Sequence, residues 1–332
     1  MTVDIDQLFL NISRMKVAVI GDVMLDTYWW GKVERISPEA PVPVVAVSKR
    51  EKRIGGAGNV ALNVHALGAT VAMLTILGDD EDGAQLTQLL HENSIDTRFI
   101  LESKKRITTN KIRIISRNQQ MLRLDAEIIQ DIDDHDEEKL RNQIQKYILS
   151  EKPDIVIFED YNKGILTKNI ISDSLLFCHE NNIPTAVDPK RKNFFCYRNA
   201  TLFKPNLSEV FTSLNMLPEE ISVDLLSEIH SQLKEKLQHR ISLITLSEKG
   251  IFFEEKNDGE IIPSIKRNIA DVSGAGDTVI AVASLVYAAT KNIQLTAFIA
   301  NIAGGIVCEE VGTVAINKEK LLSECKRLLT DF

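Results

Sequence analysis

Short apolar runs that stop on polar residues constrain the fold of this 332-residue chain more than any other feature. Residues 16–20 (Lys-Val-Ala-Val-Ile) end at Gly21-Asp22, residues 154–159 at Asp160, and residues 185–187 at Asp188-Pro-Lys190. Residues 201–203 end at Lys204-Pro-Asn-Leu-Ser-Glu209, and residues 241–246 at Ser247-Glu-Lys-Gly250. Runs of this length and composition read as parallel strands. Residues 71–77 add another, while residues 82–92 and the amphipathic residues 136–149 read as helices. Strand alternating with helix implies an α/β fold, a doubly wound and mostly parallel sheet flanked by helices. Ligands of such sheets bind at the carboxyl ends of the strands, where these polar residues collect. No linker divides the chain, so residues 1–332 read as one domain.

Two β-rich patches fall outside the alternation. Pro38, Pro41 and Pro43 exclude a helix across residues 30–49, and residues 42–47 suit an edge strand. The second patch covers residues 98–125, with a turn at 116–120 and a return strand at 121–124. The two are expected to pair into a small β-sheet lid able to close over a ligand. Lys111, Arg113, Arg117 and Arg123 would offer an anionic substrate a basic patch, although each alone equally suits a solvated strand face. A sheet outside the core also offers a surface for a homodimer through the lid.

Between the patches lies the glycine-rich stretch Arg53-Ile-Gly-Gly-Ala-Gly-Asn-Val-Ala-Leu-Asn63, read as a loop running into a helix that ends near Gly68. Gly55, Gly56 and Asn59 would face the mouth of the sheet. No Gly-Lys-Ser/Thr follows, so this is not a Walker A loop, and no strand precedes it in Gly-x-Gly-x-x-Gly form. Asp22 and Asp26, just past the first strand, suit either sugar hydroxyls or turn capping.

Residues 271–278 (Asp-Val-Ser-Gly-Ala-Gly-Asp-Thr) form a tight loop that opens an apolar helix over residues 279–289. Gly274, Ala275 and Gly276 let a ligand approach the main chain, and free N–H groups at a helix start favour an anion. Asp277 stands in the first turn, facing a site suited to another anion. That pairing fits phosphoryl transfer, in which main-chain N–H groups hold the developing charge and the aspartate orients a hydroxyl. The alternative is a helix cap and a glycine turn. Asn206 and Glu209 form an Asn-x-x-Glu spacing at a helix start. It suits either a hydrated Mg2+ on nucleotide phosphates or a simple cap.

The net charge of −8 argues against broad nucleic-acid binding. No apolar run is long enough to span a bilayer, and the acidic N-terminus is not a secretory signal. Four dispersed cysteines, Cys178, Cys196, Cys308 and Cys325, suit reduced thiols in a cytoplasm.

Residues 271–279 (Asp-Val-Ser-Gly-Ala-Gly-Asp-Thr-Val) resemble the C-terminal signature of the ribokinase-like sugar kinases, also called the PfkB family. The resemblance spans nearly the whole chain. It implies ATP with Mg2+ as cofactors, Asp277 as catalytic base, and Gly274, Ala275 and Gly276 as the anion hole. It further implies sugar contacts from Gly55, Gly56 and Asn59, and Mg2+ and phosphate binding at Asn206 and Glu209. Ser247, Lys249 and Gly250 fall where the family binds nucleotide, and Asn301 borders the adenine pocket. A narrower resemblance, to bacterial heptose 7-phosphate kinases, rests on residues 21–26, 35–44, 116–120 with 123–125, 160–161 with 163–164, 188–190 and 205–209. It implies phosphorylation of D-glycero-D-manno-heptose 7-phosphate at its anomeric hydroxyl. Lys190, Arg113 and Arg123 are separate candidates for holding the 7-phosphate. The chain departs from the pattern at Glu159, where a small polar residue is expected, and at Arg191-Lys192. The six histidines do not form the His-x-Gly-His motif of a fused nucleotidyltransferase, so a kinase-only form is expected. The competing readings are a kinase of another sugar or nucleoside, and a sugar-binding regulator on the same fold.

Overall fold

The computed structural model describes residues 4–117, 119–256 and 258–329. The strands are β1 (Lys16–Gly21), β2 (Val23–Ile36), β3 (Pro43–Gly56), β4 (Thr70–Gly78), β5 (Ile100–Ser103), β6 (Asn110–Ser116) and β7 (Gln119–Ala126). They continue as β8 (Ile155–Glu159), β9 (Thr185–Asp188), β10 (Leu202–Phe203), β11 (Ile241–Thr245), β12 (Ile251–Glu255) and β13 (Asp258–Ile262). Nine of them form one sheet in the order β13-β12-β11-β10-β9-β8-β1-β4-β5. Every pair from β11 to β5 is parallel, and β12 and β13 close one edge antiparallel.

Side chains on this sheet alternate between two cores, as a period of two requires. Val17, Val19, Val71, Met73, Ile155 and Ile157 join one core. It is covered by helices α1 (Ile5–Ile12), α2 (Ala57–Ala66), α3 (Glu81–Glu92), α8 (Ala275–Thr290), α9 (Ile293–Val307) and α10 (Lys318–Leu328). Ala18, Ile20, Ala72, Leu74, Val156 and Phe158 join the other. Helices α4 (Asp134–Glu151), α5 (Lys168–Glu180), α6 (Leu207–Leu214) and α7 (Val223–Leu237) cover that face. With both faces covered, the central strands have no polar side, which is why they read as unbroken apolar runs. None of the described helices is long and apolar enough to cross a membrane.

The remaining four strands form a second sheet in the order β3-β2-β6-β7. Two boundaries differ from the sequence reading. The sheet takes in residues 23–36 and 43–56, more than the expected 30–49, so residues 53–56 continue a strand where a loop was expected. On the other side it begins at Asn110, because Ile100–Ser103 pairs in parallel with β4 in the main sheet. The chain thus leaves the main sheet through Asp22 and returns to it opposite Val23, at Gly56. Gly56 has φ +60°, and a Cβ there would lie 2.4 Å from the Asp22 carbonyl oxygen. Glycine is therefore required where the lid strand turns into α2.

His230 of α7 and His239 just after that helix are buried, and both rings bond the Ser242 hydroxyl, at 2.8 and 2.7 Å. Burial pushes them down to about 4 and about 3 respectively. The unfolded chain takes up these protons near pH 6.5, whereas the folded chain resists until about pH 4. Each histidine therefore costs stability as pH falls below 6.5, at about 1.4 kcal/mol per pH unit. Urea unfolding at pH 7.5, 6.0 and 5.0 is expected to show a shallower loss with acid in the His230→Gln/His239→Gln variant than in the parent. Equal pH slopes would contradict this account.

Candidate active site

Helix α8 starts without a side-chain cap, because its N-cap is Gly274 with φ +78°. A Cβ at Gly274 would lie 2.8 Å from the Asn59 amide nitrogen, so the left-handed glycine also makes room for α2. Asn59 and Asn63 project from α2 onto this helix start. Asn59 Nδ2 donates to Asp277 Oδ2 at 2.7 Å, and Thr278 Oγ1 donates to Asn63 Oδ1 at 3.1 Å. Tyr161, just past β8, donates its hydroxyl to Asp277 Oδ1 at 2.7 Å. Asp277 is therefore held from two sides, with only 5% of its surface exposed. Burial pushes its carboxyl up to about 6, against the pull of the Asn59 and Tyr161 hydrogen bonds. It remains largely ionised at neutral pH, yet is more basic than an ordinary aspartate.

Space lies open beside Gly276. A Cβ there would come no closer than 3.7 Å to Lys204 Nζ and 3.9 Å to Asp188 Oδ2. Lys204 Nζ is 2.7 Å from Asp188 Oδ2, and Lys190 Nζ is 3.5 Å from Asp188 Oδ1. Burial opposes the Asp188 charge, but Lys190 and Lys204 hold this carboxyl below its ordinary range. Lys190 also meets Glu209 Oε1 at 2.6 Å. Burial works against the Lys190 ammonium too, and Asp188 and Glu209 outweigh it, keeping Lys190 charged. The Lys204 ammonium and the α8 N-terminus thus face one small space at the carboxyl ends of β9 and β10, with Lys190 on the other Asp188 oxygen.

The other anticipated residues fall into three groups. Asn206 and Glu209 make a complete capping box on α6, each bonding the other's main chain at 2.8 Å. Ser247, Lys249 and Gly250 form the turn after β11, and Asn301 of α9 donates to the Pro263 carbonyl beside it at 2.8 Å. At the lid, Arg113 Nη1 meets Asp26 Oδ1 at 2.5 Å, and Gly55 leaves room for the other Asp26 oxygen. Arg123 lies opposite Arg113 across β6 and β7 and pairs with Asp125 at 2.9 Å. Lys190 is not with these arginines but bound to Asp188 and Glu209. Asp22 is turned away from an open site, because its carboxylate accepts the main-chain N–H groups of Tyr161, Lys163 and Ile165 at 2.8, 3.0 and 3.2 Å. It fixes the loop that carries Tyr161, and a direct sugar contact from Asp22 is not supported.

Residues not singled out as site members by sequence include Tyr161, Lys204, Arg53 and Tyr28. Arg53 and Arg113 lie over the Tyr28 ring at 5.0 and 5.3 Å, bringing two cations to one face of the lid. The available signal for Tyr161 and Lys204 was their place just past a strand.

The architecture is that of ribokinase-like proteins. Phosphofructokinase-2 from Escherichia coli, in complex with potassium, superposes with a TM-score of 0.77 at 16% identity, covering 95% of this chain and 99% of that one. Ribokinase from Arabidopsis thaliana, complexed with ribose and ATP, gives 0.72 at 16% identity, covering 93% and 99%. The model of the pfkB family carbohydrate kinases matches residues 14–320, and the chain belongs to that family. It is 37% identical over 311 residues to the bifunctional protein HldE of Aliarcobacter butzleri, covering 93% of this chain and 64% of that one. Over 320 residues it is 35% identical to the bifunctional protein HldE of Geobacter sulfurreducens, covering 96% and 64%. The chain therefore spans less than two thirds of the length of these relatives.

Proposed function

We propose that this kinase transfers the terminal phosphoryl group of ATP to the anomeric hydroxyl of D-glycero-D-manno-heptose 7-phosphate, giving the 1,7-bisphosphate for nucleotide-activated heptose and surface glycans. The observation that carries the chemistry is Asp277, buried, basic and bonded by Asn59 and Tyr161 at the open start of α8. Asp277 takes the proton of the sugar hydroxyl as its oxygen bonds to phosphorus, and ADP leaves. The N–H groups at Gly274–Gly276 and the ammonium of Lys204 stabilise charge on the moving group. Glu209 retains lone pairs beyond its two hydrogen bonds, so it suits a hydrated Mg2+ carried on the nucleotide. Such an ion would neutralise phosphate charge. The turn at Ser247–Gly250 with Asn301 is assigned to the nucleotide. Asp26, Gly55, Gly56 and the lid arginines are assigned to the phosphosugar, and Asn59 to holding Asp277.

The heptose reading is supported by the motif stretches shared with heptose 7-phosphate kinases and by relatives named HldE. The test is ADP release with Mg2+-ATP and the heptose 7-phosphate, beside unphosphorylated heptose, ribose and fructose phosphates. Turnover confined to the 7-phosphate is expected. Preferential turnover of another sugar would replace the substrate and leave the Asp277 chemistry. No turnover on any sugar would favour a sugar-binding regulator.

The same reading includes action in the cytoplasm and a homodimer through the lid. All four cysteines are free thiols, as that compartment requires. Strand β7 is exposed along its whole length, with Met121, Leu122 and Leu124 among the exposed apolar side chains. An exposed edge of this kind calls for a partner. Light scattering is expected to give twice the chain mass, and Leu122→Lys with Leu124→Lys is expected to give the monomer. A monomeric parent would reject the dimer.

A further inference from the structure

Three carboxylates converge where β8, β9 and α8 meet. Glu159 and Asp188 are aligned neighbours on parallel strands, so their side chains leave the sheet on the same face. Asp277 enters from the first turn of α8. One oxygen from each lies within 4.8 Å of the other two. Glu159 is 0% exposed, Asp188 3% and Asp277 5%.

Their partners are unequal. Asp188 has Lys204, and Asp277 has Asn59 and Tyr161. Among the described residues neither oxygen of Glu159 has a hydrogen-bond partner, and Asp188 Oδ1 has only the Lys190 ammonium at 3.5 Å. An ionisable group buried with no partner is costly, and such groups are ordinarily paired or bound to a metal. The local charge points the same way. Even without Glu159, the carboxylates of Asp188, Asp277 and Glu209 stand against two ammonium groups, Lys190 being shared by Asp188 and Glu209. Carboxylate oxygen is the donor type that hard divalent cations prefer. With metal–oxygen bonds of about 2.1–2.4 Å, two oxygens on opposite sides of one ion are at most about 4.8 Å apart, so this spacing admits a shared ion.

We propose that Glu159, Asp188 and Asp277 form a divalent-cation site belonging to the protein itself, filled without nucleotide and distinct in its ligands from Mg2+ carried on ATP beside Glu209. The ion gives the buried Glu159 carboxylate its missing partner. It also offsets the surplus negative charge before two anionic substrates enter. The proposal rests on these side chains and is independent of which sugar is phosphorylated.

The test is titration of Mn2+ into the full chain with neither nucleotide nor sugar present, followed by loss of the free-ion electron paramagnetic resonance signal. One Mn2+ per chain is expected, displaced by excess Mg2+. Glu159→Gln, which keeps the side-chain shape, is expected to weaken uptake by about tenfold or more. Glu209→Gln is expected to leave it unchanged. A rise in melting temperature with Mn2+, present in the parent and absent in Glu159→Gln, is the second expected readout. No uptake by the parent overturns the proposal, as does equal uptake by Glu159→Gln or equal loss in Glu209→Gln. Because no substrate is added, failure here leaves the kinase reading standing, and an inactive heptose assay leaves the cation site standing.

Discussion

Asp277→Asn is expected to lower turnover by roughly 10²–10⁴-fold, the range for loss of a positioned acid–base group. The fold should survive. Asparagine keeps the shape, and its remaining oxygen can still accept from Asn59. Its new amide then faces Tyr161, whose hydroxyl can rotate to accept where it had donated. Removing the charge also relieves repulsion from Asp188, one of the groups that push Asp277 up. The expected change in urea stability is therefore under about 1 kcal/mol in either direction. Nucleotide affinity, measured by calorimetry, should be near that of the parent, because the lost group acts on the acceptor hydroxyl. Turnover like that of the parent would remove Asp277 from the role of base.

Much of the frame was readable because its physics is local. An apolar run closed by polar residues needs only its own sequence to be read as a central strand, and accordingly Asp160 stands just past β8, Asp188 at the end of β9 and Lys204 just past β10. The helix start at Gly274 was legible for the same reason. What sequence missed depends on distant pairing. Residues 23–28 are all buried, so the first half of β2 lacks the alternation that marks a lid strand. Residues 100–103 adjoin β6 in sequence, but their partner is β4, a choice made by a crossover. Asp22 looked like a ligand-binding carboxylate until the loop at Tyr161–Ile165 was found to occupy it. Tyr161 meets Asp277 across 116 positions of sequence, and no local pattern encodes that. Glu159 stood out as a departure from the family pattern. Its burial against Asp188 became visible only once β8 and β9 were in register.

The second large effect concerns stability. Lys204 is 2% exposed, and its ammonium lies 2.7 Å from Asp188 Oδ2. Breaking a buried pair by removing one member is costlier than removing both, because the survivor keeps an uncompensated charge. The survivor here would be poorly served. Lys190 is 3.5 Å from the other Asp188 oxygen and is already bound to Glu209, while Asp277 adds like charge nearby. Lys204→Met fills the space of the aliphatic stem and removes only the charge. It is expected to lose about 3–5 kcal/mol in urea unfolding. Asp188→Asn alone leaves the ammonium unpaired and should also be strongly destabilised. The double variant Lys204→Met/Asp188→Asn removes both charges and is expected to recover much of the loss, giving a coupling energy of about 1–3 kcal/mol in the double-mutant cycle. Additive losses would mean that the two side chains do not sense each other. A single-variant loss below about 1 kcal/mol would mean that water reaches the pair and screens it as at a surface. Either result would also weaken the case for charge control around Asp277, because the same ammonium group faces the space in front of Gly276.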